Sequence, residues 1–254
     1  MIQLISIFKL TIREIIKGRV FSLSILFGIF FSIISLAASE ISYGDKLKVY
    51  FDIGLGFLFF ASMMFSLVLG ATSFANSNDS ASLYIILPKL KHRSYFLIGR
   101  VIGYLFIILL EFVFLSSVVL IVYKIAGGSI DIYLLLCLFF ILMGNFLIFL
   151  ISLSFSQLTS HFLAFFLSVA VYLIGYGLPN TLHIANENDM TLSRDFFHFF
   201  TFIFPNFFIL DIKEAYLYKG HFDLKFILQT ILNTFIYSII LILLNLKIFK
   251  KRNF

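Results

Sequence analysis

The chain is 254 residues long, 61% of them hydrophobic and only 13% charged, with a mean hydropathy of +1.06. A water-soluble domain needs far more charge on its surface, so this composition excludes one and makes lipid the solvent for most of the chain. The formal net charge of +6 reads as membrane topology rather than nucleic-acid affinity, and the single Cys137 excludes an intrachain disulfide and leaves the redox compartment unread.

The first nineteen residues place Leu4, Phe8, Ile12 and Ile15 on one helical face and Lys9, Arg13 and Lys17 on another, which predicts an amphipathic interfacial helix. Two roles suit it: an elbow that braces the first span near a partner, or a surface anchor drawn to anionic lipid. A bilayer core about 30 Å thick requires about 20 apolar helical residues, because unpaired backbone groups cannot be left in hydrocarbon. Six segments meet that length: Val20 to Ser39, Ile53 to Ala75, Tyr95 to Tyr123, Ile132 to Phe155, Phe162 to Leu182 and Phe226 to Leu246. Ala37-Ala38-Ser39 has the small residues of a signal-peptidase site, but the apolar run before it is longer than a usual signal sequence and further spans follow. Trp is absent, so interfacial anchoring falls to the 12 Tyr and to Lys and Arg.

Between the second and third spans lies the largest basic connection, Phe74 to Ser94. Asn78 and Asp79 are N-cap candidates for a short helix carrying Leu83, Ile86 and Leu87 on one side and ending near Pro88. Such a helix is either a lever for a partner's motion or an ordinary capped turn. Gly99 and Gly103, four residues apart, fit close helix packing, with a hinge as the alternative. Glu111 is the one formally charged residue deep within a span. Such a residue suggests substrate contact or proton coupling, or else a protonated or hydrogen-bonded carboxyl that pins two helices, with Asn145 of the fourth span or a Tyr as its partner. Gly175, Gly177 and Pro179 would permit a kink or break in the fifth span. The stretch from Phe196 to Leu210 is apolar but short and interrupted by Pro205, so it predicts one or two interfacial or re-entrant helices. His161, His183, His198 and His221 show no metal-ligand spacing.

Charge distribution fixes an expected orientation, since cytoplasmic loops carry the excess of Lys and Arg. Twelve basic residues flank the N-terminus, the Phe74 to Ser94 connection and the C-terminus, facing only Glu14 and Asp79. The opposite connections hold seven basic and ten acidic residues. Both termini are therefore expected in the cytoplasm. The expected organisation is a single all-α, six-span domain over residues 1–254, with an interfacial helix at 1–19, a cytoplasmic loop at 73–94 and an extracytoplasmic segment at 183–222.

A family resemblance adds to this reading. Ser82-Leu83-Tyr84-Ile85-Ile86-Leu87, followed by Arg93-Ser94-Tyr95-Phe96-Leu97-Ile98-Gly99-Arg100, resembles the cytoplasmic loop of ABC transporter type-2 permeases. Phe204-Pro205-Asn206 before the last span and the ending Phe249-Lys250-Lys251-Arg252-Asn253-Phe254 are similar to the same family. Asn76 and Asn78 stand where the family often has acidic residues, and Pro88 falls two residues earlier than the family's proline. The resemblance implies a coupling helix within Phe74 to Pro88 that docks on an ATPase, with Asn76, Asn78, Asp79, Ser82, Leu83, Tyr84, Leu87 and Arg93 as contacts. It implies a second, shorter contact at Ser156 to His161 through Gln157 and His161. No Gly-rich loop ending in Gly-Lys-Ser or Gly-Lys-Thr is present to cradle phosphate, so ATP and Mg would reside on a partner ATPase dimer and no cofactor on this chain. A second permease copy or a paralogue would complete the exporter in the bacterial cytoplasmic membrane, among its lipids and without nucleic acid. The richness in Phe, Tyr, Ile, Leu and Ser favours an apolar or amphipathic substrate. Three rivals stand beside it: a secondary transporter or channel, for which Glu111 alone is a poor supply of polar groups; an intramembrane enzyme, for which no paired catalytic groups are found; and a permease-like subunit serving assembly or signalling.

Overall fold

The computed structural model describes residues 2–41, 46–74, 93–187, 191–213 and 223–251, which form an all-helical bundle. Its helices are α1 (Ile2–Lys17), α2 (Arg19–Ile41), α3 (Lys46–Thr72), α4 (Arg93–Ile125), α5 (Ile132–Ser156), α6 (His161–Glu187), α7 (Thr191–Ile203) and α8 (Leu224–Lys251). Six of them, α2 to α6 and α8, are long and apolar enough to cross a membrane, so the chain is a multi-pass membrane protein. An even number of spans puts the outset of α1 and the end of α8 at one end of the bundle, here the terminal end; the other is the far end.

Several helices run past their expected limits, and local contacts account for the excess. Helix α3 begins at Lys46 rather than Ile53 because Tyr50 and Phe51 are already buried and the Tyr50 hydroxyl donates to the Val119 carbonyl at 3.1 Å. Helix α6 continues through Pro179 to Glu187, so the break expected near Gly175 and Gly177 does not occur. Helix α8 extends to Lys251, its last turn carrying Lys250 and Lys251, where positive charge complements the helix dipole. Helix α4 has 33 residues, about 50 Å of helix, more than a bilayer core requires. The turn that follows it is closed by Gly127, whose φ of +92° suits glycine at a helix C-terminus.

Helices α3 and α5 form the centre, with 61% and 67% of their spanning windows buried against 11% for α2 and α8. They lie parallel, joined by Asn145 Nδ2 to Ser62 Oγ (2.9 Å), Ser152 Oγ to the Leu67 carbonyl (2.9 Å) and the Ser73–Ser156 hydroxyl pair (3.0 Å). The sequence separations of these pairs, 83, 85 and 83, stay within two residues of one another, as they must for two helices running in the same direction. Lipid is as apolar as Leu, so burial of apolar surface drives no association inside a bilayer; small residues and interhelical hydrogen bonds do that work. Gly70, set against Ser152 and the Phe149 carbonyl, continues the same seam.

At the far end the stretch read as interfacial or re-entrant helices becomes α7, with Asp195 inside it, then Pro205 and a single 3-10 turn, Phe208–Leu210. Phe207, Leu210 and Ile212 are buried in the core shared by α3, α5 and α6. Leu210 Cδ1 lies beside Gly144, and Gly175 of α6 sits directly under the Pro205 carbonyl. Gly144 is twelve residues into α5, so the chain dips about 18 Å along that helix before returning. Its exit is held by Tyr176 donating to Asp211 Oδ2 (3.1 Å) and by a Lys213–Asp52 ion pair (2.8 Å).

Candidate functional site

The terminal end gathers four separate parts of the chain around one cation. Arg100, 4% exposed, has its guanidinium carbon 5.4 Å from the Phe74 ring centre, 5.5 Å from that of Phe96 and 5.8 Å from that of Tyr104. Its Nη2 donates to the Tyr104 hydroxyl at 3.2 Å and lies 3.8 Å from Glu14 Oε2 of α1. Phe249, fully buried near the end of α8, stacks on Phe96 at 6.1 Å and leans on Phe74 at 5.6 Å. Arg tolerates this setting because its guanidinium is weakly hydrated and lies favourably over aromatic faces. Phe74 closes α3 and Phe96 opens α4, so the box joins both ends of the 75–92 connection to α1 and α8.

Helix α1 is clamped to α4 next to this box. A Cβ on Gly99 would lie 3.0 Å from Ile7 Cβ, and one on Gly103 would lie 2.9 Å from Thr11 Cβ. The two glycines thus form the groove that admits α1, Ile7 and Thr11 matching them at the same i, i+4 spacing. The buried stripe of α1 is Ile7, Thr11 and Ile15, with Leu4, Phe8 and Ile12 only partly covered. This rotates the buried face by about a sixth of a turn from the expected one, with Ile15 common to both, because the groove takes the side chains that fit its glycines. Lys9, Arg13 and Lys17 remain exposed.

The other sequence-derived candidates separate. Asn76, Asn78, Asp79, Ser82, Leu83, Tyr84 and Leu87 lie outside the described residues, and Arg93 opens α4. Gln157 turns inward: it is buried, and its Nε2 donates to Asn245 Oδ1 at 2.7 Å, while Asn245 Nδ2 donates to the carbonyls of Leu150 and Leu241. His161 is exposed at the start of α6. The expected Glu111–Asn145 pair is not formed. Asn145 donates to Ser62 instead, and both Glu111 oxygens are buried without a hydrogen-bond partner, as are Asn145 Oδ1 and Ser66 Oγ. Among the described residues no three His, Cys, Asp or Glu side chains form a group fit for a metal ion.

In the sequence Arg100 counts among the topological charges and belongs to the family resemblance, and neither it nor Asn245 is expected as a site residue. The signal was present: aromatic residues stand four before and four after it, at Phe96 and Tyr104, the spacing that stacks side chains along one helical face. No protein-family model and no curated protein matches the chain.

Proposed function

We propose that this chain is the membrane-spanning subunit of an ATP-driven exporter, which takes its hydrolysis from a separate ATPase dimer docked on the 75–92 connection and works with a second copy or a paralogue. The observation that carries this reading is the Arg100 box. A connection whose two ends are fixed to one buried cation, with α1 and α8 fixed to the same point, is built to pass a push on the loop into several spans at once. The chain's sequence has no phosphate-binding loop of its own, which is why the motor is placed on a partner. The excess of Lys and Arg at this end supports an orientation with the box towards the cytoplasm, the side on which such a partner would dock.

The test is co-purification of an ATPase with the full chain, followed by transport in proteoliposomes. A charged residue in place of Leu83 or Tyr84 should uncouple hydrolysis from transport while insertion stays normal. Arg100→Gln should lower the amount transported per ATP hydrolysed. Full activity of the isolated chain with no ATPase would overturn the reading.

Glu111 favours a second reading, a secondary transporter, because its two oxygens are buried at mid-span with no partner. Ion-gradient-driven uptake without nucleotide, lost in Glu111→Gln while assembly is normal, would select it.

A further inference from the structure

The last span carries a polar stripe that neither the topology nor the proposed coupling uses. Thr230, Asn233, Thr234 and Tyr237 recur at i, i+3, i+4 and i+7, one face of α8. They begin about 9 Å and end about 20 Å from the far end of the helix, within the depth of the hydrocarbon. Polar side chains at that depth face a bundle interior or a cavity. Here they face a cavity of about 270 Å³, whose opposite wall is the returning segment through Thr201, Pro205 and Asn206.

The chemistry of the wall is specific. Thr230 and Thr234 are almost fully buried and donate their hydroxyl protons to the helix, to the Phe226 carbonyl (2.9 Å) and the Thr230 carbonyl (2.8 Å). With their protons committed to the helix, what these hydroxyls keep to offer a ligand is acceptor capacity. Asn206 Oδ1 accepts from the Ile209 amide at 3.2 Å, which leaves its Nδ2 to donate. Asn233 is exposed and adds one side-chain amide, with an NH2 donor and a carbonyl acceptor. No Asp, Glu, Lys, Arg or His is among the described lining residues, so an ionic ligand would be stripped of water without a counter-charge. A mixed set of neutral donors and acceptors suits a group that both gives and takes hydrogen bonds.

We propose that this cavity binds an uncharged, hydroxyl-bearing group of the kind a sugar presents. The rim at Asn233 lies beside exposed Leu232 and Ile236, an apolar surface that a lipid-borne group reaches directly. The site stands on the cavity alone, so it is tested without any ATPase and its failure leaves the exporter reading intact.

The chain has no Trp, so Phe204→Trp, next to the cavity, supplies a single tryptophan that can be excited selectively at the red edge beyond the tyrosines. The purified full chain carrying it is placed in phosphatidylcholine nanodiscs and titrated with a monoglucosyl diacylglycerol in the disc, with free glucose in the buffer, and with phosphatidic acid as the charged comparison. The expected result is a saturable emission change with the glucosyl lipid. Saturation by free glucose as well would assign the group to a soluble sugar. Thr234→Val should weaken the half-point about tenfold, the loss of one hydrogen bond, and Thr234→Ser should restore it. Should Thr234→Val lose helicity, Asn233→Leu at the exposed rim must produce the same weakening. No saturable response to either glucose form, an equal response to phosphatidic acid, or a response unchanged by both substitutions would overturn the proposal.

Discussion

The two ends of the bundle are closed by opposite means. At the terminal end a single buried cation holds rings from α4 and from the turn that follows α3, and a carboxylate from α1, with Phe249 of α8 stacked on the outside. At the far end the chain itself turns back into the bundle, and neutral hydroxyls and amides line the space it leaves. Each end can therefore yield in its own way. An electrostatic and aromatic joint transmits displacement because it is held from several directions, whereas the returning segment is held by packing, tyrosine hydrogen bonds and a partly exposed ion pair, and among the described residues no buried cation lies at its centre.

The largest expected effect is at the joint. Arg100→Ala removes the Tyr104 hydrogen bond and three ring contacts together, and should lower the stability of the detergent-solubilised chain by about 2 kcal/mol, read from thermal denaturation. Arg100→Lys should recover only part of that, since Lys lacks the planar fork. A variant as stable as the parent would mean that the box is an incidental cluster. Gly103→Leu drives a side chain into Thr11 and should cost about 1–3 kcal/mol while releasing α1, which increased proteolysis near Lys9 and Arg13 would report. Unchanged protection of α1 would show that the glycine groove does not hold it.

Between the two ends, Asn145→Ala removes one hydrogen bond of the α3–α5 seam and should cost about 0.6–1.7 kcal/mol, the range for such bonds within membranes. A larger loss would imply that the unpaired Asn145 Oδ1 is engaged in solution. The smallest effect is expected at the far end. Lys213→Ala breaks a partly exposed ion pair with Asp52 and should change stability by less than about 1 kcal/mol. If it proved as damaging as Arg100→Ala, the contrast between a charged joint and a packed plug would collapse.

Sequence reasoning reached the spans themselves but not their contacts. The pairing expected of Glu111 with Asn145 failed because the choice between Ser62 of α3 and Glu111 of α4 as partner depends on how α3, α4 and α5 rotate about their axes. Gln157 looked like a loop residue ready for a partner, yet the helix carries it inward to Asn245, a residue 88 positions away that no local pattern connects to it. The polar stripe at Thr230, Asn233, Thr234 and Tyr237 was visible as a periodicity, but only the returning segment makes a cavity of it.

By itself, then, the sequence determined the solvent, the six long apolar helices and the short amphipathic ones, because the cost of bare backbone in hydrocarbon and the periodicity of apolar residues are local properties. Which helices are central, which glycines receive α1, and which polar atoms meet or remain alone follow from how the helices pack. Those outcomes depend on the rotation and register of helices far apart in the chain, and in lipid, where every apolar face is equally content, a few small residues and hydrogen bonds settle them.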